Sequence, residues 1–232
     1  MRTAGLRVAL GHSLFLACGA AIAQAGGDIA FLSDYRYRGV SLSDERPTLQ
    51  LGVTYDDPTG WFGGASLTGV SLGPENRRQA QVLGYGGYAG RLSDRLGWEA
   101  GATVVHFAVD SRYDYYEAFT GLNGERWNMR LHYAPDYFGS GTRTAYGEFN
   151  VGLPLSPLIR ATAHVGALMR VGGAPAPGGG RTNIDGSLGL AVARDAWEVR
   201  LEWVAGGYTT LYPTAYGRAA SGALVLSAML AF

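Results

Sequence analysis

Trp197-Glu198-Val199-Arg200-Leu201-Glu202-Trp203 alternates apolar and charged residues at every step. Side chains of a strand point to opposite faces in turn, so one face carries four apolar residues and the other Glu198, Arg200 and Glu202. A helix would scatter the same residues around its circumference. Trp127 to Tyr133 behaves alike, with Asn128, Arg130 and His132 opposite Trp127, Met129, Leu131 and Tyr133. Thr48 to Tyr55 sets Leu49, Leu51, Val53 and Tyr55 on one face.

The chain carries twelve such half-apolar segments, at 28–38, 47–55, 61–70, 79–89, 98–108, 114–122, 127–134, 143–153, 158–169, 183–193, 197–204 and 221–232. Short connections at 56–60, 123–126, 156–157 and 194–196 alternate with longer ones such as 39–46, 71–78, 170–182 and 205–220. Short turns on one side and long loops on the other are expected of an all-β, transmembrane, antiparallel up-and-down barrel. The count is about twelve strands, or ten or fourteen if one hairpin is split or fused. No stretch offers the roughly 18 consecutive apolar residues of a membrane-spanning helix.

Trp61, Trp98, Trp127 and Trp197 each stand at or beside a short turn and open the apolar face of their strand. Tryptophan prefers the membrane–water boundary. These four read as an aromatic girdle on the short-turn side, with Tyr35, Tyr37, Tyr133 and Trp203 expected toward the opposite one. A soluble β-sandwich would instead concentrate its aromatics at mid-strand. The last strand alternates back from Phe232 through Leu230, Ala228, Leu226 and Leu224. A terminal aromatic on such a strand resembles the signal read by the barrel-insertion machinery, which makes that machinery and outer-membrane lipid the expected partners.

Composition agrees with this architecture. Glycine occupies 36 of 232 positions and charged residues only 16%, against roughly 25% in ordinary soluble domains. All 19 basic residues are arginine, balanced by 19 acids. Nucleic-acid binding is not expected, because counterion release needs clustered cations. Residues 1–25 have the layout of a secretory signal peptide: Arg2 and Arg7, an apolar stretch over 8–23, and the small-x-small site Ala23-Gln24-Ala25. A lipoprotein signal ending at Cys18 is the rival reading. Cleavage after Ala25 leaves a single domain, 26–232, without cysteine. It also leaves 17 basic against 19 acidic residues, a formal charge of −2.

Ser33-Asp34-Tyr35-Arg36-Tyr37-Arg38-Gly39-Val40-Ser41 followed by Pro47-Thr48-Leu49-Gln50 resembles the start of the TorF family of porin-like proteobacterial proteins. Tyr133-Ala134-Pro135-Asp136-Tyr137-Phe138 and Ala163-His164-Val165-Gly166 are similar to further blocks of that family. The resemblance implies an outer-membrane barrel of porin type without defining its solute.

The faces opposite the apolar ones should line the interior. They carry Asp34, Arg36, Arg38, Gln50, Glu99, Glu117, Asn128, Arg130, His132, Glu148, Arg160, His164, Asp185, Glu198, Arg200 and Glu202. Charges facing lipid at the midplane would cost roughly 2–4 kcal/mol each. Facing inward, they can form a polar channel for small hydrophilic solutes or an ion-pair network that plugs the barrel. The Asp34-x-Arg36-x-Arg38 ladder, on one inward face, is the expected solute-contacting element; the alternative is that it pairs with Glu198 and Glu202 or with acids on the neighbours of the second strand. A plugged barrel would act as a structural or binding module through external loops, chiefly 205–220 with its three tyrosines. An outward-facing lipase or acyltransferase is the minor alternative. His106, His132 and His164 lie in no local hydrolase or metal-binding motif, so the chain is read as a non-enzyme without cofactor or metal.

Overall fold

The computed structural model describes residues 24–72, 75–174, 181–206 and 222–232. The chain opens with β1 (Gln24–Leu32), then a short pair, β2 (Arg36–Tyr37) and β3 (Val40–Ser41). Long strands follow: β4 (Thr48–Asp56), β5 (Trp61–Leu72), β6 (Arg77–Ser93), β7 (Leu96–Phe107), β8 (Tyr115–Asn123) and β9 (Trp127–Ala134). The last are β10 (Thr142–Pro154), β11 (Ile159–Gly173), β12 (Thr182–Arg194), β13 (Trp197–Gly206) and β14 (Gly222–Ala231). β1 pairs with both β4 and β14, which closes a twelve-stranded antiparallel barrel with no free edge. No helix among the described residues is long and apolar enough to cross a membrane.

The alternation read from the sequence is the alternation of the wall. Leu49, Leu51 and Val53 on β4, Leu188 and Leu190 on β12, and Val199 and Leu201 on β13 all point outward and are exposed. An exposed apolar belt of this extent is tolerated only against lipid. β1 starts and β14 ends on the side of the short turns, as do Trp61, Trp98, Trp127, Trp197 and Phe232. Trp61 and Tyr88 pack edge to face at 5.3 Å and Tyr88 reaches Trp98 at 6.0 Å, a continuous aromatic band on that rim. Trp203, six residues along β13 from Trp197 on the same outward face, stands nearer the other rim.

The first strand departs from expectation. It ends at Leu32, and residues 33–43 fold into the barrel instead of continuing the wall to 38. Tyr35 and Tyr37 are therefore not girdle residues. Tyr37 is buried in an internal apolar cluster and Tyr35 packs against it. The inner wall also is not polar throughout. Val70, Leu72, Leu83, Val105, Phe107, Tyr115 and Leu168 face inward and are buried. They meet the inserted segment rather than water, so burial selects apolar side chains there. Residues 1–23 of the expected signal peptide at 1–25, and most of the 205–220 loop, lie outside the described residues. Gln24 and Ala25 already pair with Asp56 and Tyr55.

Leu188 sits at the middle of β12 with its side chain outward. Leu188→Arg is expected to cost about 2–4 kcal/mol, and Val192→Arg near the short turns about 0–1 kcal/mol. Equilibrium unfolding from lipid vesicles checks this; equal costs at the two positions would contradict the assigned belt.

Candidate functional site: the lumen beneath an inward hairpin

After Leu32 the backbone turns into the lumen. Asp34 organises the turn: its carboxylate accepts from Ser41 Oγ at 2.6 Å, Ser43 Oγ at 3.1 Å and Arg36 Nε at 2.6 Å. Leu42 N–H donates to the Tyr35 carbonyl at 2.8 Å, and Ser71 N–H ties the segment to β5 through the Leu42 carbonyl at 2.6 Å. β2 and β3 are joined by Arg38 and Gly39 at φ 50° and 79°. Two successive positive φ values are the signature of a type I′ hairpin turn. Gly39 is required twice over, since a Cβ there would also sit 2.7 Å from Asp185 Cβ and 2.9 Å from Gly206 Cα.

The tip of this hairpin bridges the barrel. Gly39 abuts β12 and β13, while Arg38 reaches β8 and donates to both oxygens of Glu117, at 2.8 and 2.7 Å. Its guanidinium lies over the rings of Tyr146 at 4.1 Å, Tyr37 at 4.8 Å and Tyr137 at 5.4 Å. Burial alone would favour the neutral form of Arg38, but the Glu117 carboxylate outweighs it and holds the group charged well past its ordinary range. Burial likewise pushes the Tyr37 phenol up. Toward the long loops, Tyr37, Val40 and Leu42 pack with Tyr137 and Phe138 of a 3-10 turn (Tyr137–Gly139) and with the inward apolar residues. Phe138 stacks on Phe107 at 5.7 Å and approaches Tyr115 at 4.8 Å.

Beneath the hairpin lies a cavity of about 270 Å³. Eleven of the residues expected to line the interior do line it: Arg36, Arg38, Gln50, Arg130, His132, Glu148, Arg160, His164, Asp185, Arg200 and Glu202. The other five, Asp34, Glu99, Glu117, Asn128 and Glu198, face inward but are buried behind that surface. Asp34, Arg36 and Arg38 do not share a wall strand, and their partners are not Glu198 and Glu202. The hairpin turns Arg36 back onto Asp34 and aims Arg38 at Glu117.

The remaining arginines are also pinned by carboxylates behind them. Arg130 donates to Glu99 at 2.6 and 3.1 Å. Glu198 accepts from Arg160 at 3.0 Å and Arg200 at 2.9 Å. His132 stands 3.5 Å from both Glu117 and Glu148. A polar chain crosses four strands: Asn128 to Asn150 at 3.0 Å, Asn150 to His164 Nδ1 at 2.7 Å, and His164 Nε2 to Asp185 at 2.7 Å. Tyr146 also donates to Asp185, at 3.1 Å. Gly166 makes room for that ring, since a Cβ there would collide with the Tyr146 hydroxyl.

Sequence reasoning missed Asp28, Phe62, Tyr85, Thr103 and Phe119 as lining residues. Asp28 was accessible to it, because it lies opposite Ile29 and Phe31 on β1. The aromatics broke the expectation of a polar inner face. His106 is outward and exposed, bonded through Nδ1 to Asp114 at 2.6 Å near the long-loop rim.

The model of the Gcw_chp family, described as bacterial proteins of unknown function, matches residues 17–228. The chain belongs to that family. No curated protein matches the sequence. Among solved structures it is similar to the KdgM porin at TM-score 0.57 and 9% identity, covering 91% of this chain and 99% of that one. It is similar to the NanC porin at 0.55 and 10% identity, covering 90% and 98%. LpxR from Salmonella typhimurium follows at 0.50 and 9% identity, covering 89% and 99%. At these identities the likeness establishes the barrel fold.

Removing one partner of a buried pair leaves an uncompensated charge. Arg38→Met or Glu117→Met alone is expected to destabilise the barrel by roughly 3–5 kcal/mol, and the two together by much less than the sum. A double-mutant cycle in urea checks this, and additive single costs would mean the two charges are not coupled.

Proposed function

We propose that this Gcw_chp protein is an exported outer-membrane barrel acting as a porin-like channel for small hydrophilic solutes, with the 33–43 hairpin as its constriction. The observation that carries this reading is a charged cavity of about 270 Å³ inside a wall whose outer face is apolar. Rings of charge can replace part of a solute's hydration and set which solutes enter. The signal-like residues 1–25 and the resemblance to TorF-family porins support export and insertion in the outer membrane. The fold shared with the KdgM and NanC porins supports the same function class.

One observation favours a second reading. The apolar cluster around Tyr37, Tyr137 and Phe138 fills inner wall on the long-loop side. A barrel sealed there would serve as a structural or binding module. Planar-bilayer recording separates the two. The channel reading expects small unitary steps from the intact protein and larger ones when residues 34–43 are replaced by a short Gly/Ser turn. Absence of steps from both proteins would overturn it in favour of the sealed barrel.

A further inference from the structure

The charges around the cavity are layered. Asp34, Glu99, Glu117 and Glu198 lie behind its surface, and between them they hold all five lumen arginines. Asp28, Glu148, Asp185 and Glu202 line the surface itself. Eight carboxylates against five guanidinium groups leave the lumen at a formal −3 with His132 and His164 neutral. With both protonated it is −1, so its sign does not depend on the histidines.

The four carboxylates that line the cavity differ in what already satisfies them. Glu202 accepts from Thr162 at 3.1 Å and stands 3.6 Å from Arg200. Glu148 lies 3.5 Å from His132. Asp28 and Asp185 are each more than nine-tenths buried, and each keeps one oxygen, Oδ2, with no hydrogen-bond partner among the described residues. A buried carboxylate oxygen without a donor is costly, and an ammonium brings three donors and the missing charge. Phe62 and Tyr85 add aromatic faces to the same cavity, which suit a cation further. Arg36 Nη2 and Arg200 Nε also keep no hydrogen-bond partner among the described residues, but anions find less, since each of the five lumen arginines is already paired with a carboxylate and the net charge is negative.

We propose that the lumen beneath the hairpin is a binding site for small organic cations, with Asp28 and Asp185 as the carboxylates that contact them. This rests on the channel reading for its physiological meaning, but not for its test. Isothermal titration of the refolded full barrel in detergent compares 1,4-diaminobutane with succinate, a dianion of similar length. The diamine is expected to bind and succinate to bind far more weakly. Asp28→Asn and Asp185→Asn should each weaken diamine binding about tenfold, the loss of one charge-assisted hydrogen bond. Absent diamine binding, succinate binding of equal strength, or undiminished affinity in Asp28→Asn would each overturn the proposal. If a variant fails to fold, the diamine-to-succinate comparison on the wild-type protein still decides. Silence in bilayers with diamine bound in detergent would sink the channel reading alone. Conductance without diamine binding would sink this one alone.

Discussion

The pair formed by Arg38 and Glu117 organises the interior of this barrel. Taking two charges out of water costs several kcal/mol per ion unless the geometry is good. Here the contact is bidentate, and three aromatic rings surround the guanidinium. Because Arg38 rides on the turn of an inserted hairpin, its bond to β8 fixes where that hairpin stops. The hairpin in turn divides the inner wall. On its long-loop side it needs apolar neighbours; on its other side it roofs a polar cavity. A left-handed φ at Arg38 costs roughly 1–2 kcal/mol, which an ordinary turn residue could have spared. The strain is consistent with a position chosen for what the side chain reaches.

The outer face of the wall was legible in the sequence, and the inner face only in part, for a single physical reason. Lipid imposes one rule on every outward residue, so Leu49-Leu51-Val53 or Trp197-Val199-Leu201 announces a strand without knowledge of its neighbours. Inward residues answer to whatever stands opposite. Val105 and Glu99 occupy the same face of β7, one against the hairpin's cluster and the other beneath Arg130. Nothing local distinguishes those fates. The segment Asp34-x-Arg36-x-Arg38 misled because a hairpin arm is itself extended and keeps the period of two. Its turn carries one glycine and an arginine, a weaker cue than Asn-Gly. The partner of Arg38 lies 79 residues away in sequence, beyond any local pattern.

The glycine content takes on a specific role once the inner wall is seen. A Cβ at Gly121 would stand 2.8 Å from Glu99 Oε1 and 2.9 Å from Arg130 Cγ. The missing side chain is what lets Glu99 lie flat against β8 and vanish from the surface, while Arg130 covers it and faces the cavity. Gly166 does the same for Tyr146. Few charges and many glycines are thus two sides of one arrangement. Where a polar side chain inside is long, as at Glu99 or Tyr146, a glycine in the wall makes room for it.

That arrangement also decides how the lumen's charge should be read. Counting residue types on inward faces suggests a mixed and nearly neutral interior. Depth changes the result, because the arginines at the surface are each backed by a carboxylate that no solute can touch. In a wall surrounded by hydrocarbon, the charge of Glu99, Glu117 and Glu198 is poorly screened and cancels the arginines in front of it. What an entering solute meets is then set by the carboxylates left over, of which Asp28 is the clearest. It stands on β1 at the seam where the barrel closes, with Gly52 of β4 leaving room for its side chain. The same strand pairing that seals the barrel therefore sets into the cavity wall a buried carboxylate, one oxygen of which has no hydrogen-bond partner among the described residues.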